Sequence, residues 1–176
     1  MLKRVFQVAL LVVVMLLWLL PQVLGSAAGC DLAEGLHARL IRHEGVRTCV
    51  YDDVYGNATI GVGHLLRKPV YASCWPRDHI MAVFHHDIAR ARAGARSALG
   101  SPLAWTNLAP AQREVLVEMA FWLGPGGLRG FHRMLGAVRA GDMTRAAAEI
   151  EDSKIGAEFA SRAGELACIL REAQAR

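Results

Sequence analysis

Glu44, Asp53 and Thr59 stand in the run EGVRTCVYDDVYGNATIGVGH, residues 44–64, with eight residues between the first two and five between the second and third. Together they supply an acid, a second carboxylate and a hydroxyl. Cleavage of a glycosidic bond needs two carboxyl groups in unlike surroundings, one keeping its proton while the other stays ionised. Glu44 follows an expected amphipathic helix and can sit half buried where helix meets sheet, a setting suited to the proton donor. Asp53 comes after Asp52 in an expected turn, wet and charged, and the Thr59 hydroxyl can hold a water. Taken singly, Glu44 reads as a helix-end surface charge, Asp53 as a turn residue and Thr59 as an ordinary strand residue. Only their joint spacing carries chemical information.

The elements that must position these residues follow from the neighbouring pattern. Val46, Val50, Ile60 and Val62 are β-branched, Gly56-Asn57 supplies a turn, and Gly61 and Gly63 leave room for close backbone approach. This predicts a small twisted antiparallel sheet with carboxylates on its rim. Before it, Asp31 to His43 predicts a helix with Asp31 as N-cap, Glu34 completing a capping box, and Leu32, Leu36 and Leu40 along one face. His43 and Arg47 flank Glu44 and read either as plain surface charges or as tuners of its proton affinity. Leu65 to Trp75 is an expected loop containing Pro69, and Arg77 to about Leu99 a long helix with Ile80, Val83, Phe84, Ile88 and Ala91 on one face. Gly100-Ser101-Pro102 should end it. Asn107-Leu108-Ala109-Pro110 should open a further helix running to about Leu123, stopped by Gly124-Pro125-Gly126-Gly127. Short helices near Phe131 to Ala140 and Met143 to Ile150, and a last one from Ser161 to Ala173, complete an α+β plan with a helical lobe.

The chain has 176 residues, of which 53% are hydrophobic, with a formal charge of +4 and a mean hydropathy of +0.25. The apolar surplus lies at the start: Lys3 and Arg4 precede a run from Val5 to Leu20 broken only by Gln7, followed by Pro21, Gln22, Gly25 and Ser26. Residues 1–30 therefore read as an export segment, leaving a single domain at 31–176. It can be a signal cleaved near Gly25 or Ala28, an anchor of about 20 residues if extended to Leu24, or a degenerate lipidation signal ending at Cys30. Basic residues are dispersed, with no stacking-aromatic motif, which disfavours nucleic acid as a partner. Cys30, Cys49, Cys74 and Cys168 are too widely spaced for a zinc or redox motif. Behind an export signal they predict disulfides, Cys49 with Cys74 flanking the sheet and Cys30 with Cys168 joining the domain's ends, with free thiols as the other reading. His85-His86-Asp87 points in different directions on a helix, and no metal or cofactor is implied.

Glu44, Asp53 and Thr59 at this spacing, followed by Ile-Gly-Val-Gly-His, resemble the signature of phage-type lysozymes, the endolysins of glycoside hydrolase family 24. The likeness runs from about Asp31 to Glu172 and is strongest from Glu44 to Leu66. It implies a lysozyme-like fold, a small sheet lobe and a helical lobe joined by a long helix with a cleft between. It also implies a monomeric, bacteriolytic muramidase that cuts peptidoglycan between N-acetylmuramic acid and N-acetylglucosamine with inversion and causes host lysis. Glu44 would be general acid, Asp53 would position water and Thr59 would assist. By the same resemblance His64 pairs with Asp87 as an ion pair bridging the lobes, and Arg162-Ala163 opens the last helix. Some endolysins of this kind resemble signal-anchor-release proteins, tethered to the inner membrane and freed into the periplasm, although Leu10 to Leu20 is more strongly apolar than such segments. Two departures bear on substrate fit: Trp122 stands where the family often has Asn or Gln, and Glu158-Phe159-Ala160 where a Gln-Thr-Pro run is common. Trp122 can stack on a sugar or belong to the core. The rival readings are an inactive, membrane-tethered peptidoglycan-binding protein and a lytic transglycosylase.

Overall fold

The computed structural model describes residues 30–53, 56–66 and 73–173. The expected export segment up to residue 29 and the Pro69 part of the expected loop lie outside them. Among the described residues, eight helices and one three-stranded antiparallel sheet make a mostly helical α+β fold of the lysozyme-like kind: α1 (Leu36–Glu44), β1 (Arg47–Asp52), β2 (Ala58–Gly61), β3 (His64–Leu65), α2 (Arg77–Leu99), α3 (Pro102–Asn107), α4 (Pro110–Gly130), α5 (His132–Ala140), α6 (Met143–Glu151), α7 (Lys154–Glu158) and α8 (Ala160–Glu172). No helix among the described residues is long and apolar enough to cross a membrane.

α1 begins later than the capping pattern predicts. The Asp31 carboxylate accepts from Ala33 N at 2.9 Å and Glu34 N at 3.2 Å, closing a local turn, and Gly35 follows as the actual N-cap with no side-chain cap of its own. Glu114 of α4 supplies the missing acceptor, taking the Leu36 N–H at 3.0 Å. Leu36 and Leu40 are fully buried, each worth about 1.5–3 kcal/mol of apolar transfer. Gly45, at φ 72, ends the helix, so that Glu44 is its last residue and the chain turns at once into the sheet.

The sheet has the order β1-β2-β3. Tyr51 faces Thr59 and Asp52 faces Ala58 across the first pair, while Ile60 faces His64 across the second. Val62 and Gly63 form the turn between β2 and β3, so His64 opens a new strand. The outer edge of β1 is covered by residues 73–75, with Val50 N donating to Ser73 O at 3.0 Å and Trp75 N to Thr48 O at 2.8 Å. A Cys49–Cys74 disulfide joins that edge, and a second, Cys30–Cys168, ties the segment before α1 to α8.

α2 runs from the sheet into the helical part. Ile80 packs on β2 and, with Phe84, Ile88, Ala91, Ala95 and Leu99, is buried against it and α4. Gly100 in the left-handed conformation ends α2. Pro102, expected to be only a terminator, occupies the first turn of α3, whose N-cap Ser101 accepts from Ala104 N at 3.1 Å. The stop expected at Gly124 is a break within α4: Gly124 leaves helical geometry at φ 71 and ψ 163, and helix resumes through Gly130. α2 and α4 meet closely at this break. A β-carbon added at Gly94 would lie 2.8 Å from Pro125 Cγ and 3.0 Å from Pro125 Cβ.

Gly94→Ala should therefore destabilise the protein. The gain of about 1 kcal/mol in helix propensity opposes an overpacking cost of about 1–3 kcal/mol against a rigid ring. A lower urea midpoint with unchanged m value is the expected result.

Candidate active site

Each sequence-predicted residue has a definite place. Glu44, at the tip of α1, has a side chain 22% exposed, and its Oε1 accepts from Arg162 Nη1 of α8 at 2.9 Å. Its Oε2 lies on the Gly63 side, since a β-carbon added at Gly63 would come within 3.5 Å of it. Gly63 also lines an open groove of about 780 Å³ bordered by His64, Leu65, Arg90, Phe121 and Arg129. The positive φ of 67° at Gly63 favours the absence of a side chain there.

Asp53 closes the loop between β1 and β2. Its Oδ1 accepts from Asn57 N at 2.8 Å and its Oδ2 from Asn57 Nδ2 at 3.0 Å, while its own N–H donates to Asn57 O at 2.9 Å. This pre-orients the carboxylate with little freedom left to lose. Thr59 is buried, and its hydroxyl donates to the Asn57 carbonyl at 2.9 Å. The proton of that hydroxyl is thus engaged within the loop, while its oxygen can still accept.

Tyr51, directly across from Thr59, reports on both carboxylates. Burial pushes its phenol up; Arg47, whose guanidinium carbon is 4.2 Å from the ring centre, opposes this, and Glu44 and Asp53 add to the rise. Both acids thus lie within electrostatic reach of one hydroxyl.

His64 Nδ1 stands 2.6 Å from Asp87 Oδ2, linking β3 to α2 beside the groove. Trp122 and Phe159 meet edge to face at 5.2 Å, and the Arg162 guanidinium carbon lies 4.4 Å from the Trp122 ring centre. Trp122 is half buried and Phe159 exposed. No group of three or more potential metal ligands occurs among the described residues.

Beneath Glu44 lies a charged set absent from the sequence reading. Glu118 is wholly buried, its Oε1 accepting from Arg162 Nε at 3.2 Å and its Oε2 from Arg39 Nε at 3.0 Å. Arg39 also donates to Glu114 Oε2 at 3.3 Å and to the Glu34 carbonyl. Arg39 occupies the face of α1 that Leu36 and Leu40 bury, and Glu118 interrupts Val115-Leu116-Val117 and Met119-Ala120. Those two charges inside apolar patterns were the available signal. Around this set, Arg42 bridges Glu34 at 2.6 Å and Glu165 at 2.5 Å, and His43 Nε2 stands 2.9 Å from Glu165 Oε2. The Arg42 hydrogen bond holds the Glu34 carboxyl below its ordinary range, against some desolvation.

A helix tip and a hairpin loop presenting two carboxylates, beside a groove flanked by a long helix, define a lysozyme-like α+β protein. The phage lysozyme family model matches residues 41–160, and the chain belongs to that family. It is also 27% identical over 152 residues to the pre-baseplate central spike protein Gp5 of Enterobacteria phage T4. That match takes in 74% of this chain and 26% of the relative, so the chain spans about a quarter of that protein's length.

Gly63→Ala should cost about 1–2 kcal/mol from the left-handed backbone alone, its methyl group making only ordinary contact with Glu44 Oε2. Equilibrium urea unfolding is expected to show the loss, with far-UV circular dichroism unchanged.

Proposed function

We propose that this protein is a peptidoglycan hydrolase, an endo-acting muramidase cutting between N-acetylmuramic acid and N-acetylglucosamine. The observation that carries the reading is that Glu44, at the tip of α1, lies beside the groove-lining Gly63 while Asp53 is held by Asn57 in the hairpin that follows. Two acids carried by adjacent elements are what cleavage of a glycan requires.

Glu44 donates its proton to the glycosidic oxygen as the bond to the muramic acid anomeric carbon breaks. With Oε1 held by Arg162, Oε2 is the oxygen that delivers it. Asp53, steadied by Asn57, positions a water on the opposite face of the sugar and takes its proton as the new C–O bond forms. Inversion follows if the two carboxyl groups stand about 6.5–9.5 Å apart with that water between them. Thr59 supports this loop through the Asn57 carbonyl and can accept a hydrogen bond from the water. The His64–Asp87 contact acts as a structural ion pair holding β3 to α2 along the groove. Trp122 and Phe159 form part of the wall against which the glycan lies.

The N-terminal segment carries the domain across the inner membrane, as a cleaved signal or a releasable tether, so that hydrolysis of the wall in the periplasm lyses the host cell. The domain works as a monomer.

On peptidoglycan zymograms the wild type should clear the gel, Glu44→Gln should lose about 10²–10⁴-fold of the rate, and Asp53→Asn should also fall sharply. Equal clearing by wild type and Glu44→Gln overturns the mechanism. Mass spectrometry of the products should show hydrated reducing ends; anhydro-muramic ends would assign a transglycosylase instead.

A further inference from the structure

We propose that Glu118 and Arg39 are positioning residues for Glu44, acting through Arg162 to set how strongly that guanidinium holds the Glu44 carboxylate. The inference rests on the reading of Glu44 as proton donor. Glu114, Arg39, Glu118, Arg162 and Glu44 form one series of alternating charge, with successive contacts of 3.3, 3.0, 3.2 and 2.9 Å. It starts at a partly exposed carboxylate, passes through the sealed interior and emerges at Glu44 beside Gly63.

Arg162 divides one positive charge between two acids of different standing. Glu118 is 0% exposed and has no water to retreat to, so its charge is sustained only by its cations. Glu44 is partly exposed and must change protonation state in each turnover. The more of Arg162 that Glu118 engages, the less Arg162 opposes protonation of Glu44. Arg39 governs that share, because it is the other close partner of Glu118.

The charged and titratable groups facing this series come from four elements. α1 brings Arg39 and His43, the latter 3.9 Å from Glu118 Oε1. α4 brings Glu114, α8 brings Arg162 and Glu165, and β1 brings Tyr51, on which Glu44 and Asp53 act. The Trp122 ring covers a face of Arg162, and Arg162 Nη2, buried, makes no hydrogen bond to the described residues. The guanidinium therefore has no second exposed acid among these contacts to divert it from Glu44.

Two substitutions should act with opposite sign. Glu118→Gln leaves Arg162 to Glu44 alone, holding it as the carboxylate, so the alkaline limb of the kcat/KM profile should move to lower pH. Arg39→Met, whose side chain suits the apolar face of α1, leaves Glu118 to draw on Arg162, and the limb should move to higher pH. Each shift should be at least about half a unit, seen mainly in kcat with little change in KM. Glu114→Gln, at a residue 30% exposed, is a milder variant that folds if Glu118→Gln does not. It frees Arg39 for Glu118, so its limb should also move to lower pH.

Titration of the Glu44 side-chain carboxyl by 13C NMR in the same full-length variants reads the effect without turnover. Opposite movements of Glu44 under Arg39→Met and either glutamine variant support the inference. Movement in the same direction, or none, overturns it even where melting temperatures fall. Absence of glycan cleavage by the wild type would count against the muramidase reading, while the NMR titration would still decide this one.

Discussion

The Glu118 carboxylate, removed from water in the middle of α4, is the constraint on which the placement of the site depends. A buried ion costs several kcal/mol unless it is paired and hydrogen-bonded, so α4 can pack only where Arg39 of α1 and Arg162 of α8 reach it. Both contacts are made at hydrogen-bonding distance, one on each carboxylate oxygen. Their directionality fixes the rotation and register of α1 more tightly than the packing of Leu36 and Leu40 alone. Because Glu44 is the last residue of α1, fixing that helix also fixes where its carboxylate emerges.

The sheet faces a different physical problem. Three short strands, of which only β2 is buried while β1 and β3 are exposed or half buried, cannot supply a core of their own. Cross-links and neighbours replace it: Cys49–Cys74 and the 73–75 segment close the edge of β1, Ile80 packs beneath Gly61, and Asp87 holds His64. Each lies close to a residue of the candidate site. These contacts brace the strands on either side of the Asp53 loop.

Local signals in the chain were legible where local energy decides the outcome. The apolar spacing of Ile80, Phe84 and Ile88 with Gly100 beyond them marks α2 at the bounds it adopts, since capping and periodicity act within a few residues. The same reasoning placed the start of α1 at Asp31, because Asp31 and Glu34 look like a capping box. In the folded protein Asp31 caps only its own turn, Glu34 reaches forward to Arg42, and the helix waits for Glu114 from α4. Gly100-Ser101-Pro102 and Gly124 both mark breaks, yet helix resumes at Pro102 itself and directly after Gly124, because the turn that follows has tertiary surface to bury, Trp105 in one case and Leu128 in the other.

By itself, the sequence determined that a helix tip carrying Glu44 precedes a hairpin carrying Asp53 and Thr59, because helix ends, turns and strand alternation are written over spans of a few residues. It also marked four cysteines for pairing, although not through any local rule about which sulfur meets which. Only the tertiary structure decided that Glu44 meets Arg162 and that Arg162 meets Glu118 and Trp122, since these partners are separated by up to 118 positions. It likewise decided that Gly63 stands bare beside Glu44. Burial and charge pairing are properties of neighbours in space, and a charged residue in an apolar run announces that it needs a partner without saying where the fold will bring one.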